Sequence, residues 1–115
     1  MRTETKKRSG RAEVVARMMQ RTAVVMDVDI TEIMAVAVGG RRVSRARNTF
    51  CHLVYPIMDR FETAAILGRR THSTIYGAQR RCLAMMLEDH DYCVDVMGLL
   101  DEFKRERALY KREDR

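Results

Sequence analysis

Apolar residues in this chain recur every three or four positions and show no every-second-residue alternation, a periodicity that helices bury well and strands do not. Val14, Val15, Met18, Met19, Thr22, Val25 and Met26 mark one amphipathic helix over about residues 11–28. Asp29, with Glu32 three positions later, has the form of a capping box opening a second helix that carries Ile33, Met34, Ala37 and Val38 and ends at Gly39-Gly40. Ser44 is placed to cap a third, with Phe50, Leu53, Val54 and Ile57 on its apolar face and Pro56 at its end. Asp59 and Glu62 repeat the box ahead of a short helix at 60–67, and Gly68 is placed to stop it. Thr71 then caps a longer helix with Ile75, Ala78, Cys82 and Met85 on one face and His72, Tyr76, Gln79 and Arg80 on another. The last helix, about residues 91–110, is acidic at its start and basic at its end, as the helix dipole prefers. The chain is therefore expected to be all-α, with five or six helices and a helix-turn-helix at 59–88.

With 115 residues the chain is long enough for one modest core. Residues 1–10 read as a basic flexible tail, 11–103 as the helical body and 104–115 as a charged helix extension or tail. The basic start runs into no apolar segment, and nowhere do 18 apolar residues follow one another. A cytoplasmic protein without a membrane span is the expectation. Cys51, Cys82 and Cys93 are odd in number and lack CxxC spacing, so they read as reduced core thiols.

Enzymatic readings find little support. No GxxxxGK[ST] phosphate loop occurs. Cys51 and His52 are sequence neighbours and point in different directions on a helix, which does not make a nucleophile and base. His90 and Cys93 lack the paired spacing of zinc ligands. No enzyme activity, metal or cofactor is expected.

The net charge of +6 is concentrated: residues 1–11, 41–47 and 69–81 each carry +4 and residues 104–115 carry +3, so the remainder is acidic. Such clustering is the footprint of a polyanion binder. Within one block, GRRTHSTIYGAQRR at 68–81 places a histidine, three hydroxyl residues and a tyrosine between two arginine pairs where a helix begins. The unpaired amides and positive dipole end of that helix suit an anion, and they equally suit plain capping by Thr71 and its neighbours.

VSRARNTF at 43–50, followed some twenty residues later by GRRTHSTIYGAQRR, resembles the C-terminal DNA-binding domain of the bacterial chromosomal replication initiator DnaA, a fold also similar to the Trp repressor. In that family valine-x-arginine-x-arginine opens one helix, and glycine-x-arginine-aspartate-histidine-threonine-threonine opens the recognition helix. The likeness extends, more weakly, to about Phe103 and includes His90-Asp91. It implies that Arg41 or Arg42 enters the minor groove and that Arg47 and Asn48 face DNA. His72, Ser73 and Thr74 would read bases and contact backbone, and Arg81 would hold a phosphate. Arg45, Arg69, Arg70, Thr71 and Tyr76 complete the implied contact set. Thr71 departs from the family's aspartate and so lacks a charged acceptor for cytosine N4.

The resemblance implies sequence-preferring binding of double-stranded DNA by a stand-alone domain, in replication initiation control or transcriptional regulation, without the initiator's ATPase module. It leaves room for a replication or regulatory protein as a further partner. The alternative is a helical protein–protein interaction module whose basic surface serves solubility. A third reading, peripheral binding to anionic lipid, is disfavoured by a first helix too apolar and too weakly basic for it.

Overall fold

The computed structural model describes the backbone of residues 2–35, 39–68 and 71–112, and the side chains of those residues except 2–9 and His72. Among the described residues seven helices and no strand build the fold: α1 (Arg2–Met26), α2 (Ile30–Met34), α3 (Gly40–Val54), α4 (Arg60–Ile66), α5 (His72–Glu88), α6 (His90–Glu102) and α7 (Lys104–Leu109). None of them is long and apolar enough to cross a membrane.

The expected tail is helical from residue 2, because nothing before Gly10 breaks a helix and Gly10 lies under the Tyr110 hydroxyl, where a Cβ would clash. The helix places Val14, Val15, Met18, Met19, Ala23 and Met26 in the core. It ends at Asp27, which takes the left-handed conformation usual for glycine (φ 58°). There Val28 N–H donates to Ala23 O (3.0 Å) and Asp27 N–H to Val24 O (3.2 Å), pairing the last carbonyls in the Schellman manner.

At the start of α2 the Asp29 N–H donates to Glu32 Oε1 at 3.0 Å, as the capping box requires. This helix is shorter than its apolar pattern, and Ala37 and Val38 lie outside the described residues. Its carbonyls are taken up by Arg47 of α3, whose Nε donates to Ile33 O (3.0 Å) and whose Nη2 donates to Glu32 O (2.8 Å) and Ala35 O (3.0 Å). The guanidinium fork thus closes the helix end in place of a C-terminal glycine.

The third helix begins at Gly40 (φ 85°), four residues before the expected Ser44 cap, because Gly39-Gly40 starts this helix as well as separating it from α2. It packs against α1, α2, α5 and α6. Phe50, Leu53, Val54 and Ile57 are buried, as their spacing predicts. Thr49 shares that interior: its Oγ1 donates to Arg45 O (2.7 Å) and lies 2.7 Å from the Tyr92 hydroxyl, which lies 3.2 Å from Cys82 Sγ. This polar chain joins α3, α6 and α5. Burial pushes the Tyr92 phenol well above its ordinary range and raises the Cys82 thiol too, so both stay neutral in the core.

The expected last helix is two: α6 and α7 are separated at buried Phe103. Residues 104–112 are not a solvated tail. Arg107 Nε donates to Leu53 O (2.9 Å), Arg112 N–H to Pro56 O (2.8 Å) and Arg112 Nη2 to Tyr55 O (3.1 Å), covering the C-terminal end of α3. Arg17–Glu106 (3.2 Å) ties the same segment to α1, and Arg21–Glu102 (3.0 Å) ties the end of α6 to it.

Two stability outcomes are expected. Arg47→Ala removes three hydrogen bonds to carbonyls at the end of α2 and should cost about 2–4 kcal/mol in urea unfolding, whereas Arg81→Ala, on an exposed surface, should change stability by less than about 0.5 kcal/mol. Because folding raises the Tyr92 pKa above the ordinary tyrosine value of about 10, its contribution is complete below that pH and is lost as pH rises above it. Tyr92→Phe should cost about 1 kcal/mol at neutral pH and flatten the alkaline loss seen by circular dichroism.

Candidate nucleic-acid interface

Two local sequences build the helix-turn-helix. At its start Asp59 Oδ1 accepts from Glu62 N–H (2.8 Å) and Glu62 Oε1 accepts from Asp59 N–H (3.1 Å), the complete capping box expected from the sequence. The short helix α4 buries Thr63 and Ala64, and Gly68, at φ 79°, turns the chain after it. Thr71 caps α5 as expected, its Oγ1 accepting from Thr74 N–H at 3.2 Å.

Ile75, Ala78 and Cys82 seat α5 on the core, which leaves Thr71, Ser73, Thr74, Tyr76, Arg80 and Arg81 exposed. Gln79, expected on the outer side, is buried. The three hydroxyls at the helix start form one cluster: Thr71 Oγ1 lies 2.7 Å from Thr74 Oγ1 and 3.2 Å from Ser73 Oγ. Each is within reach of solvent. Beside them a cleft of 250 Å³ between α3 and α5 is lined by Ser44 and Asn48 from one helix and Thr74 and Arg81 from the other, over an apolar floor of Cys51, Leu67, Ile75 and Ala78. Asn48 and Arg81 thus line one cleft with Thr74, in the first turn of α5. Arg81 folds back over Gly77, its Nη1 3.2 Å from where a Cβ would stand.

The basic block at 41–47 divides between two sides of α3: Arg41, Arg42 and Arg45 line one cleft, whereas Arg47 turns toward α2. Arg41 is exposed. Arg42 is also exposed and pairs with Asp27 at 3.1 Å. Arg45 pairs with Asp89 at 3.3 Å and lies over the Tyr92 ring, 5.7 Å from its centroid. With Asp91 and Asp95 these three arginines line a second cleft, of 480 Å³, whose carboxylates oppose a polyanion. Hydrogen bonding from Tyr92 N–H, together with the nearby Arg45 guanidinium, holds the Asp89 carboxyl below its ordinary pKa.

Arg47 requires a correction. Expected to face DNA, it is 7% exposed, with Nε and Nη2 donating to carbonyls at the end of α2, and it lines the cleft that Asn48 and Arg81 share. Arg69 and Arg70 lie outside the described residues, and of His72 only the backbone, the first turn of α5, is described.

Other basic residues were not singled out by sequence reading. Arg60 and Arg80 both lie over the Tyr76 ring, 5.3 and 5.7 Å from its centroid. The Arg80 contact has a legible signal, the four-residue spacing on one helix, but Arg60 reaches Tyr76 only because the turn brings α4 against α5.

A scan against protein-family models and a search of curated proteins found no match to this chain.

Proposed function

We propose that this protein binds double-stranded DNA through its helix-turn-helix, with the start of α5 entering the major groove. The observation that carries the reading is the solvent-facing Thr71–Ser73–Thr74 hydroxyl cluster, at the amide-rich end of a 17-residue helix and beside Asn48 and Arg81. Backbone amides and hydroxyls suit phosphate oxygens, an arginine suits a phosphate or guanine edge, and an asparagine suits adenine. The helix dipole adds a positive potential at the same end.

In this reading Thr71, Ser73, Thr74 and the adjoining His72 meet bases and backbone near the helix start. Asn48 approaches from α3 and Arg81 holds a phosphate more than two turns further along α5. Arg41 is the exposed arginine available for the minor groove, because Arg42 and Arg45 have carboxylate partners. Replication initiation control and transcriptional regulation are the two settings the family resemblance implies, and cytoplasmic location accords with either.

The reading is tested by fluorescence anisotropy with duplexes selected from a random genomic pool. Neutralising about five phosphates gives a slope of log K against log salt of about −4.5, and Arg81→Ala should flatten it by about one unit for every sequence. No retention of any duplex at low salt would sink the proposal. Thr71→Asp tests the reading position itself. Aspartate caps at least as well as threonine, so the fold should stand, while a charged acceptor should impose a cytosine at one position with about 1–3 kcal/mol of discrimination. An unchanged selected motif would place Thr71 away from the bases.

A further inference from the structure

A second groove, of 600 Å³, lies beside α4 and along a different side of α5 from Thr74 and Arg81. Three aromatic residues line it: Tyr55, Phe61 and Tyr76, which are 51%, 69% and 48% exposed. Soluble proteins ordinarily turn most such surface inward, so three aromatic side chains exposed around one concavity mark a recognition surface.

The groove is also cationic. Arg60, Lys111 and Arg112 line it, and Arg80 reaches its Tyr76 ring. Among the described residues its one lining carboxylate, Asp59, is engaged by the Glu62 N–H. Arg60 lies over Tyr76, and Arg112 lies 5.6 Å from the Tyr55 ring centroid while its Nη2 donates to Tyr55 O. Stacked in this way, Arg60 can turn its edge donors to a phosphate, and the guanidinium planes lie alongside the rings.

The third observation is Gln79. It lines the groove and is only 8% exposed, so its amide is recessed among its neighbours. One donor and one acceptor, held side by side, match the edge of a nucleobase.

Aromatic faces, a cationic rim and a recessed amide fit one ligand chemistry. A duplex hides the faces of its bases and offers only edges, so it cannot use the rings. An unpaired strand offers faces, edges and phosphates together. We infer that the Tyr55–Tyr76–Gln79 groove binds single-stranded DNA, with bases stacked on the rings and guanidinium planes, one base edge on Gln79 and phosphates on Arg60 and Lys111. The inference stands independently of the helix-turn-helix reading, since it uses a different side of α5.

The test is anisotropy of fluorescein-labelled 12-mers of mixed sequence, single-stranded and duplex, with the full chain and two variants. Tyr55→Ala should weaken single-strand binding about tenfold, the effect of losing one stacked base. Gln79→Met, which keeps the side chain's length and removes the amide, should weaken it about fivefold or more. Both should keep the thermal transition of the parent and its duplex affinity within about twofold. Failure of the parent to bind the single strand at low salt overturns the inference. So does unchanged single-strand binding in both variants, or a parallel fall in single-strand and duplex affinity. Loss of duplex binding alone, with the single strand retained, would overturn only the helix-turn-helix proposal.

Discussion

The third helix is buried on most of its sides, yet its sequence, GRRVSRARNTFCHLV, carries four arginines. Placing such a sequence in the middle of a small domain requires every polar group to find a partner or a way out, and those solutions shape the rest of the molecule. Arg47 turns toward α2 and closes its carbonyl end. Arg45 turns toward Asp89 at the α5–α6 junction, and Arg42 toward Asp27 where α1 ends. Thr49 joins Tyr92 and Cys82, and Arg107 comes back from α7 to take the Leu53 carbonyl. The helix that looks most like a polyanion contact in sequence is thus largely a structural axis.

That division clarifies the surface. With Arg45 paired to Asp89 and Arg47 buried against α2, the cations presented along α4 and α5 are Arg60, Arg80 and Arg81. They serve two sides of one helix: Arg81 lies beside Asn48 and the hydroxyl cluster, while Arg60 and Arg80 lie on Tyr76 next to the aromatic groove. The seat of α5 on the core, through Ile75, Ala78 and Cys82, sets the orientation of both surfaces. Duplex binding on one side and unpaired nucleotides on the other would follow from a single rigid element.

Much of the fold was legible because its signals are local. The Asp59–Glu62 box, Gly68 and the Thr71 cap each act within four residues, and the sequence places all three where they stand. The apolar face of α5 is legible for the same reason. What sequence could not convey were pairings across the chain. Arg107 meets a carbonyl 54 residues away, and Arg47 meets one 14 residues away on another helix. Charge counting treated every arginine in residues 41–47 as surface, whereas the rotation of α3 sends one inward and two toward carboxylates. The aromatic groove was illegible on the same ground, since Tyr55, Phe61 and Tyr76 come from three separate segments. An exposed aromatic in sequence looks like any core residue until the fold is known.

The central claim is that the start of α5 meets duplex DNA while Arg47 stays inside the protein. Heteronuclear NMR of the labelled chain, titrated with its best selected duplex, tests both halves together. The account predicts large shifts for the backbone amides of Thr71 to Thr74 and for the side chains of Asn48 and Arg81, with the Arg47 Nε–H resonance unmoved and still protected from exchange. Shifts concentrated on Arg47 and the carbonyl end of α2, with the start of α5 unaffected, would contradict it.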